Sequence, residues 1–195
     1  MQVIHPAPIL TLLPILLSPM YVKWLIEVFF PINEFLIDQP SSKDIELAKI
    51  DEKETYKVGI IKSSWNNQIT DLLYNSSYNF LLESGVQKKN IISKEVPGSM
   101  ELVYMSNYLI SKYNVDGVIA LGCIIKGETD HDVYISNAVA NGLMNVSIQK
   151  EKPVIFGVLT TNNLNQALER CGGKHGDKGL ESSQSLLQII SSCKD

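Results

Sequence analysis

The chain has 195 residues, 45% hydrophobic and 19% charged, and its formal net charge is −4. That length suits a globular domain with a sizeable core, and the acidic balance argues against a protein that binds nucleic acid by neutralising phosphates. The three cysteines have no CxxC spacing, and no two of the three histidines have metal-ligand spacing on one helix. We therefore expect a small-molecule site without a metal, in a reducing, cytoplasmic compartment.

Residues 1–40 differ in composition from the rest of the chain. They hold six of the eight prolines, whereas all twelve glycines lie at Gly59 or later. Residues 6–22 carry no charge and approach the length of a bilayer span, but prolines interrupt them. No lysine or arginine precedes Lys23, which disfavours a secretory signal and a transit peptide. We interpret 1–40 as an atypical hydrophobic, proline-rich extension unrelated to the chemistry, with a membrane or partner-binding anchor and a targeting segment as alternatives.

Strand and helix patterns alternate after a mixed-charge arm or linker at 41–56. Apolar runs predict four strands, at 57–64, 91–96, 115–125 and 152–160. Helical periods predict helices at 69–80, ending before Gly85, then at 102–113 and 135–146, with shorter ones around 163–171 and 179–190. Residues 57–195 are therefore expected to form one α/β domain, a flavodoxin-like three-layer α/β/α fold with a four-stranded parallel sheet.

Ligands bind beyond the carboxyl ends of the strands in such sheets. Trp65 follows the first strand, where it is either a core plug or a stacking plate for a flat heterocycle. Ser99 and Glu101 follow the second strand. They either cap a helix and occupy its first turn, or hold a polyol with the same hydroxyl and carboxylate.

The loop after the third strand has the pattern of an anion site. Gly127 permits a sharp bend, and Thr129 or Asp130 would cap the next helix, whose unpaired N–H groups attract anions. The Glu128 side chain would repel a phosphate, so we expect contact through the main chain there. His131 lies in the first turn, where the helix terminus favours the neutral imidazole as a base; the alternative is a polar surface residue.

Arg170 is the only arginine among 17 basic residues. Its planar fork suits a phosphate or carboxylate; the alternative is a helical salt bridge with a nearby acid. The glycine-rich basic stretch at 172–179 is expected to be a flexible loop that approaches an anion, or a plain connector between helices.

Five segments, in order, resemble the 6,7-dimethyl-8-ribityllumazine synthase family, transferases of riboflavin biosynthesis. They are SSWNNQIT (63–70), VPGSMEL (96–102), ALGCIIKGETDH (120–131), PVIFGVLTTNNLNQALER (153–170) and GGKHGDKG (172–179). The resemblance covers residues 57–190. It implies condensation of 5-amino-6-(D-ribitylamino)uracil with L-3,4-dihydroxy-2-butanone 4-phosphate to 6,7-dimethyl-8-ribityllumazine, phosphate and water, without a cofactor.

The resemblance also implies a role for each matching residue. The pyrimidine ring of the first substrate would stack on Trp65 and would contact the main chain of Cys123, Ile124 and Ile125. Its ribityl chain would contact Ser99, Met100 and Glu101. The phosphate would contact Gly127, Glu128 and Thr129, and His131 would transfer protons. A neighbouring subunit of a pentamer or 60-subunit shell would contribute Phe156 to the ring and, at the phosphate side, Arg170 and Lys178.

Three residues depart from the family pattern. Asp132 and Val133 follow His131 where an aromatic residue and then an acid are usual, and Asp177 replaces a usual asparagine. A carboxylate beside His131 would attract a proton to the imidazole, opposing the helix terminus. Two alternatives therefore remain at this point, an archaeal-type riboflavin synthase paralogue and a non-catalytic shell or flavin-binding homologue. Neither a nucleic-acid nor a membrane partner is expected.

Overall fold

The computed structural model describes residues 56–193. The predicted extension at 1–40 and the predicted arm up to residue 55 lie outside the described residues, so both boundaries stay predictions. Within the described part of the chain, no helix combines the length and the apolar character that a bilayer crossing requires.

Strands and helices alternate along the described chain. In order they are β1 (Val58–Ser63), α1 (Asn67–Glu83), β2 (Ile91–Val96), α2 (Glu101–Tyr113), β3 (Gly117–Ile125), α3 (His131–Lys150), β4 (Val154–Thr161), α4 (Leu164–Leu168), β5 (Cys171–Gly173), β6 (Gly176–Asp177) and α5 (Lys178–Ser192).

The first four strands form one parallel sheet in the order β2-β1-β3-β4. Successive residues of a strand point to opposite faces, and neighbours in β1 accordingly enter different cores. Ile60 packs in a cluster with residues of α1 and α5, whereas Ile61 packs in a second cluster with residues of α2 and α3. The predicted three-layer α/β/α fold with a four-stranded parallel sheet is therefore confirmed.

Some element boundaries match the predictions and others differ. β2 spans the predicted residues, and Gly85 adopts a positive φ of 99° just after α1, as its interpretation as a helix stop requires. β3 begins later than predicted, at Gly117, and Asp116, just before it, binds Lys57 through long-range hydrogen bonds. Its main-chain N–H donates to Lys57 O at 2.7 Å, and its carboxylate accepts from Lys57 N at 2.8 Å.

The segment after β4 differs from its prediction. The helix expected around 163–171 is confined to α4, and the expected loop at 172–179 instead contains a two-stranded antiparallel hairpin, β5–β6. Gly172 and Gly176 have φ values of 95° and 88°, which a glycine adopts at little cost. Hairpin pairing between Cys171 and Asp177 therefore replaces a flexible connection.

Helix α3 is only lightly covered by the other described residues. Of its 20 residues only Val139 and Leu143 are buried. Tyr134, Met144 and Ile148 are exposed on it, each by more than 60% of the side chain's full area. The outer face of α3 therefore presents large apolar side chains to its surroundings.

Candidate active site

A cleft of about 600 Å³ opens at the carboxyl edge of the sheet. Ten predicted site residues line it: Trp65, Ser99, Met100, Glu101, Cys123, Ile124, Ile125, Gly127, Thr129 and His131. Five further residues that were not predicted to belong to the site complete the lining: Asn66, Pro97, Gly98, Asp132 and Ile135. The remaining four predicted residues, Glu128, Phe156, Arg170 and Lys178, are not among the lining residues.

The cleft exists because β3 is longer than β1. The β1–β3 pairing ends at Lys62 and Leu121, whereas β3 continues to Ile125 alongside β4. Beyond Leu121, β3 therefore has a free edge that exposes alternate N–H and C=O groups towards the cleft. Such an edge can hydrogen-bond the rim of a flat heterocycle.

Asn66 anchors this free edge. Its side-chain Nδ2 donates to the carbonyl oxygen of Cys123 at 2.9 Å, which ties the start of α1 to the end of β3. Its backbone is left-handed, with φ 57° and ψ 45°, a conformation that asparagine tolerates better than most residues. The only sequence signal for this role was an asparagine at the end of a strand.

Trp65 lies at the mouth of the cleft. Main-chain bonds from Ser64 N to Val96 O and from Trp65 N to Pro97 O, at 2.8 and 3.1 Å, hold its loop against the end of β2. The side chain is 74% exposed. The core-plug interpretation is therefore wrong, and the indole is available as a stacking surface.

The turn between β2 and α2 positions a hydroxyl and a carboxylate. Ser99 is buried, but its hydroxyl does not cap α2. The residue precedes Met100, which is the N-cap, and its carbonyl accepts from Leu102 N at 3.2 Å. Glu101 stabilises the turn instead, since its Oε2 accepts from Gly98 N at 2.9 Å. The Ser99 hydroxyl is left facing Gly122, where a Cβ would lie only 2.9 Å from it.

The loop from β3 to α3 offers unpaired main-chain donors. The N–H groups of residues 127–132 meet no acceptor among the described residues, whereas Lys126 N donates to Thr161 O at 2.8 Å. Six successive free donors at a helix N-terminus form a typical anion site. The Glu128 side chain is exposed and lies outside the cleft lining, as the expected main-chain contact requires.

Two details of this loop correct the sequence analysis. Gly127 has no positive φ, and a Cβ there would meet nothing within 4 Å, so no sharp bend demands a glycine. Asp130 is the N-cap residue of α3, yet neither its side chain nor that of Thr129 caps the helix. The carbonyl of Asp130, rather than its carboxylate, accepts from Val133 N and Tyr134 N.

His131 and Asp132 both contribute to the lining from the first turn of α3. The imidazole is exposed, and no hydrogen bond or ion pair holds it within residues 56–193. The two side chains form no ion pair, as expected for adjacent helical residues, which do not face each other. Asp132 was noted in the sequence as an unusual neighbour of His131, but nothing there indicated that it enters the cleft.

Comparison with known proteins identifies the family of this chain. The family model described as 6,7-dimethyl-8-ribityllumazine synthase matches residues 55–194. The chain belongs to this family.

Individual relatives of the chain carry the name of the lumazine synthase family. A protein of Cytophaga hutchinsonii named 6,7-dimethyl-8-ribityllumazine synthase is 48% identical over 132 residues, which cover 68% of this chain and 83% of the relative. Proteins of the same name from Porphyromonas gingivalis and Levilactobacillus brevis are 45% and 44% identical over 133 and 135 residues, covering 83% and 86% of their own lengths. The resemblance predicted from the five motifs is confirmed, and these names do not favour either alternative function.

Three of the predicted lumazine synthase site residues lie away from the cleft of their own chain. Arg170 pairs with Glu181 through two contacts, Nη2–Oε2 at 2.8 Å and Nη1–Oε1 at 3.2 Å, and its Nη1 also donates to the carbonyl of His175. Lys178 Nζ lies 3.8 Å from the same Glu181 Oε2. Phe156 is half-buried against the core beside α2 and α3. Within one chain, Arg170 therefore forms the salt bridge that the sequence left open as an alternative.

Two thiols of the described residues have a raised pKa, and of these only Cys123 belongs to the cleft lining. Burial raises the pKa of the Cys123 thiol to about 12 and that of the Cys171 thiol to about 11. Because the thiolate is the reactive form, both groups are inert at neutral pH. Among residues 56–193 no three His, Cys, Asp or Glu side chains are grouped so that they could hold a metal ion.

Proposed function

We propose that this chain condenses 5-amino-6-(D-ribitylamino)uracil with L-3,4-dihydroxy-2-butanone 4-phosphate, giving 6,7-dimethyl-8-ribityllumazine, phosphate and water. One observation carries the proposal. In a chain of the lumazine synthase family, a single cleft combines an exposed indole, a free strand edge, six unpaired N–H groups and an imidazole. Each of the four suits a different part of the two substrates.

The aminouracil fits the side of the cleft formed by β1 and β3. Trp65 provides a flat surface for stacking, and the free edge of β3 at Cys123–Ile125 provides donors and acceptors for the rim of the ring. Ser99 and Glu101 also line the cleft, and a hydroxyl and a carboxylate suit a polyol chain. Met100 adds apolar surface to the same lining.

The phosphate fits the N-terminus of α3. Its contacts would be the free N–H groups of Gly127, Glu128 and Thr129. However, the cleft lining includes the carboxylates of Glu101 and Asp132 and, among the described residues, no lysine or arginine. A dianion in this cleft therefore requires cations from elsewhere.

We propose that a second copy of the chain supplies these cations. Arg170 and Lys178, together with Phe156, lie outside their own cleft but would enter that of a neighbour. Glu181 accepts from both Nη1 and Nη2 of Arg170, which fixes the position of the guanidinium. The exposed apolar face of α3 supports a homo-oligomer, either a pentamer or a 60-subunit shell, and three free thiols suit the reducing conditions of a cytoplasmic enzyme.

The reaction then consists of positioning and proton transfer. The ring amine attacks the ketone to form a carbinolamine, which loses water to become an imine. Phosphate leaves by elimination, and attack of the ribitylamino nitrogen closes the second ring with loss of water. His131 moves the protons, which typically contributes about 10²–10⁴-fold, while holding both substrates in reactive geometry contributes about 7–11 kcal/mol.

The test is a coupled assay on the purified full chain with both substrates. Lumazine absorbance and fluorescence should increase together with one phosphate released per lumazine. Failure to form lumazine, in protein that binds both substrates, would refute the proposal. Formation of riboflavin from lumazine alone would identify the paralogue instead.

A further inference from the structure

Glu181 lies between the two cations that the proposed function assigns to the phosphate. It belongs to the first turn of α5. Its Oε2 lies 2.8 Å from Arg170 Nη2 and 3.8 Å from Lys178 Nζ, and its Oε1 accepts from Arg170 Nη1 at 3.2 Å. One partly buried carboxylate therefore contacts both cations and offsets the repulsion between them.

The hairpin and α5 hold this group from two sides. The N–H of Lys178 donates to Arg170 O at 2.9 Å, which ties the start of α5 to the residue before β5. Gly176 of the hairpin packs against the ion pair, since a Cβ there would lie 2.8 Å from Glu181 Oε1 and 3.1 Å from Arg170 Nη1. Arg170 Nη1 also donates to the His175 carbonyl. The guanidinium therefore has little room to adopt another orientation.

The contact with Glu181 determines which edge of the guanidinium an anion can use. A guanidinium carries five N–H donors in a plane and offers two kinds of fork, an end fork from Nη1 and Nη2 and a side fork from Nε and Nη2. Glu181 accepts at the end fork of Arg170. A phosphate that also binds this guanidinium through two parallel N–H groups must therefore meet the side fork.

We propose that Glu181 is a positioning residue, which orients the side fork of Arg170 towards the phosphate of the butanone substrate in a neighbouring copy. This proposal rests on the proposed function above. Lys178 compensates the charge of Glu181, so the group of three still attracts a dianion. Two other roles would have different effects. An ion pair that only stabilises the fold would change stability alone, and a carboxylate that competes with phosphate would weaken phosphate binding in the native chain.

A double-mutant cycle of Glu181→Gln and Arg170→Lys tests this role. The measurements are the Kd of inorganic phosphate by calorimetry and the KM of the phosphorylated substrate. In the native background, Arg170→Lys should raise both about tenfold, because an ammonium has no fork. In the Glu181→Gln background the same change should matter less than about twofold, because a guanidinium without a fixed orientation loses its advantage over an ammonium. Glu181→Gln alone should raise both quantities severalfold.

Two further variants separate geometry from charge. Glu181→Asp keeps the charge on a side chain shorter by one methylene, and it should weaken phosphate binding as Glu181→Gln does. Glu169→Gln is the matched control, because it removes a charge next to Arg170 and keeps an acceptor for Lys174 N, which donates to Glu169 Oε2 at 2.7 Å. It should change neither quantity. The Kd of the aminouracil, the Tm and the sedimentation should stay close to native in all these variants.

Four outcomes would overturn the proposal. A tenfold effect of Arg170→Lys in both backgrounds would show that Glu181 does not orient the fork. Tighter phosphate binding in Glu181→Gln would identify a competitor. Native phosphate binding in Glu181→Asp would reduce the role to charge, and loss of assembly in both Glu181 variants would make it structural. Because the Kd of inorganic phosphate is measured without turnover, wild-type protein that binds phosphate through Arg170 but makes no lumazine would refute the proposed function and leave this test intact.

Discussion

His131 and Arg170 have the most important roles in the proposed chemistry, and their surroundings differ. The imidazole is exposed at the cleft, and no other described side chain holds it. The guanidinium lies outside the cleft, fixed by two contacts with Glu181 and one with the His175 carbonyl. A proton carrier that must serve several steps benefits from a free ring, whereas a phosphate clamp benefits from a fixed fork.

The first prediction concerns His131. His131→Ala should reduce kcat by about 10²–10⁴-fold, because one proton-transfer group is lost, while the Kd of the aminouracil changes little. A measurable rate should remain, since positioning of the substrates is intact. Steady-state and binding measurements on the same preparation check this. Complete loss of turnover with normal binding would contradict this division of labour.

The second prediction concerns Arg170. Arg170→Lys should raise the KM of the phosphorylated substrate about tenfold, because a point charge cannot reproduce a bidentate fork. The free energy of unfolding should fall by only about 1 kcal/mol or less, since the pair with Glu181 is partly exposed. Substrate titrations and urea denaturation measure the two effects. An unchanged KM would contradict the phosphate role.

At the scale of elements, the lengths of the strands create the site. β1 ends opposite Leu121, and β3 continues for four residues beyond it, so one edge of β3 is left to a ligand. Asn66 holds this edge through the Cys123 carbonyl, and the same residue begins α1. One side-chain amide therefore connects the start of α1 to the free edge of β3.

The third prediction tests this coupling with Asn66→Gly. Glycine keeps the left-handed backbone but removes the hydrogen bond to Cys123 O, so the KM of the aminouracil should rise severalfold with a stability loss of about 1 kcal/mol or less. Asn114→Gly is the matched control, because Asn114 has a similar φ of 49° at the end of α2, away from the cleft. Equal kinetics in the two variants would show that the tie is not used.

The fourth prediction concerns the contact between α1 and α5. A Cβ at Gly179 would lie only 2.2 Å from the carbonyl oxygen of Leu73, so Gly179→Ala must separate the two helices. We expect a loss of about 1–3 kcal/mol in the free energy of unfolding, measured by urea denaturation. Gly127→Ala, where a Cβ meets nothing within 4 Å, should leave that stability unchanged. Similar stability in both variants would contradict the close packing.

At the scale of the whole molecule, one copy of the chain holds only part of the proposed site. Its cleft contains the imidazole, the indole and the unpaired N–H groups of the loop before α3, while its arginine lies outside that cleft. In a closed ring, each copy would give its arginine to one neighbour and receive the arginine of the other, which would complete every site.

The fifth prediction follows from this exchange. His131→Ala and Arg170→Ala variants, each with strongly reduced activity, should regain activity when unfolded together and reassembled. Random mixing gives about a quarter of the sites both native residues, if a site takes them from two different copies. The lumazine assay on the mixed and the separate proteins measures this. No gain on mixing, with co-assembly verified by sedimentation, would place both residues in one subunit.

The sequence by itself determined the order of the elements, the parallel sheet and most of the cleft lining. Strand and helix periods are local properties, and parallel topology brings the carboxyl ends of strands together. The positions of Trp65, Ser99 and His131 at one edge of the sheet therefore follow from local pattern and topology. The five family motifs added the chemistry.

Tertiary structure alone decided the features that depend on register and packing. Four features depend on which residues meet across long stretches of chain. They are the free edge of β3, the exposure of Trp65, the hairpin at β5–β6 and the salt bridge between Arg170 and Glu181. A local pattern specifies that a residue is polar or that a glycine can bend, but the partner of Asp132 or Ser99 depends on packing between distant elements. For this reason the predicted cap by Ser99 and the predicted bend at Gly127 were wrong. For the same reason only the fold showed that Asn66 and Asp132 line the cleft.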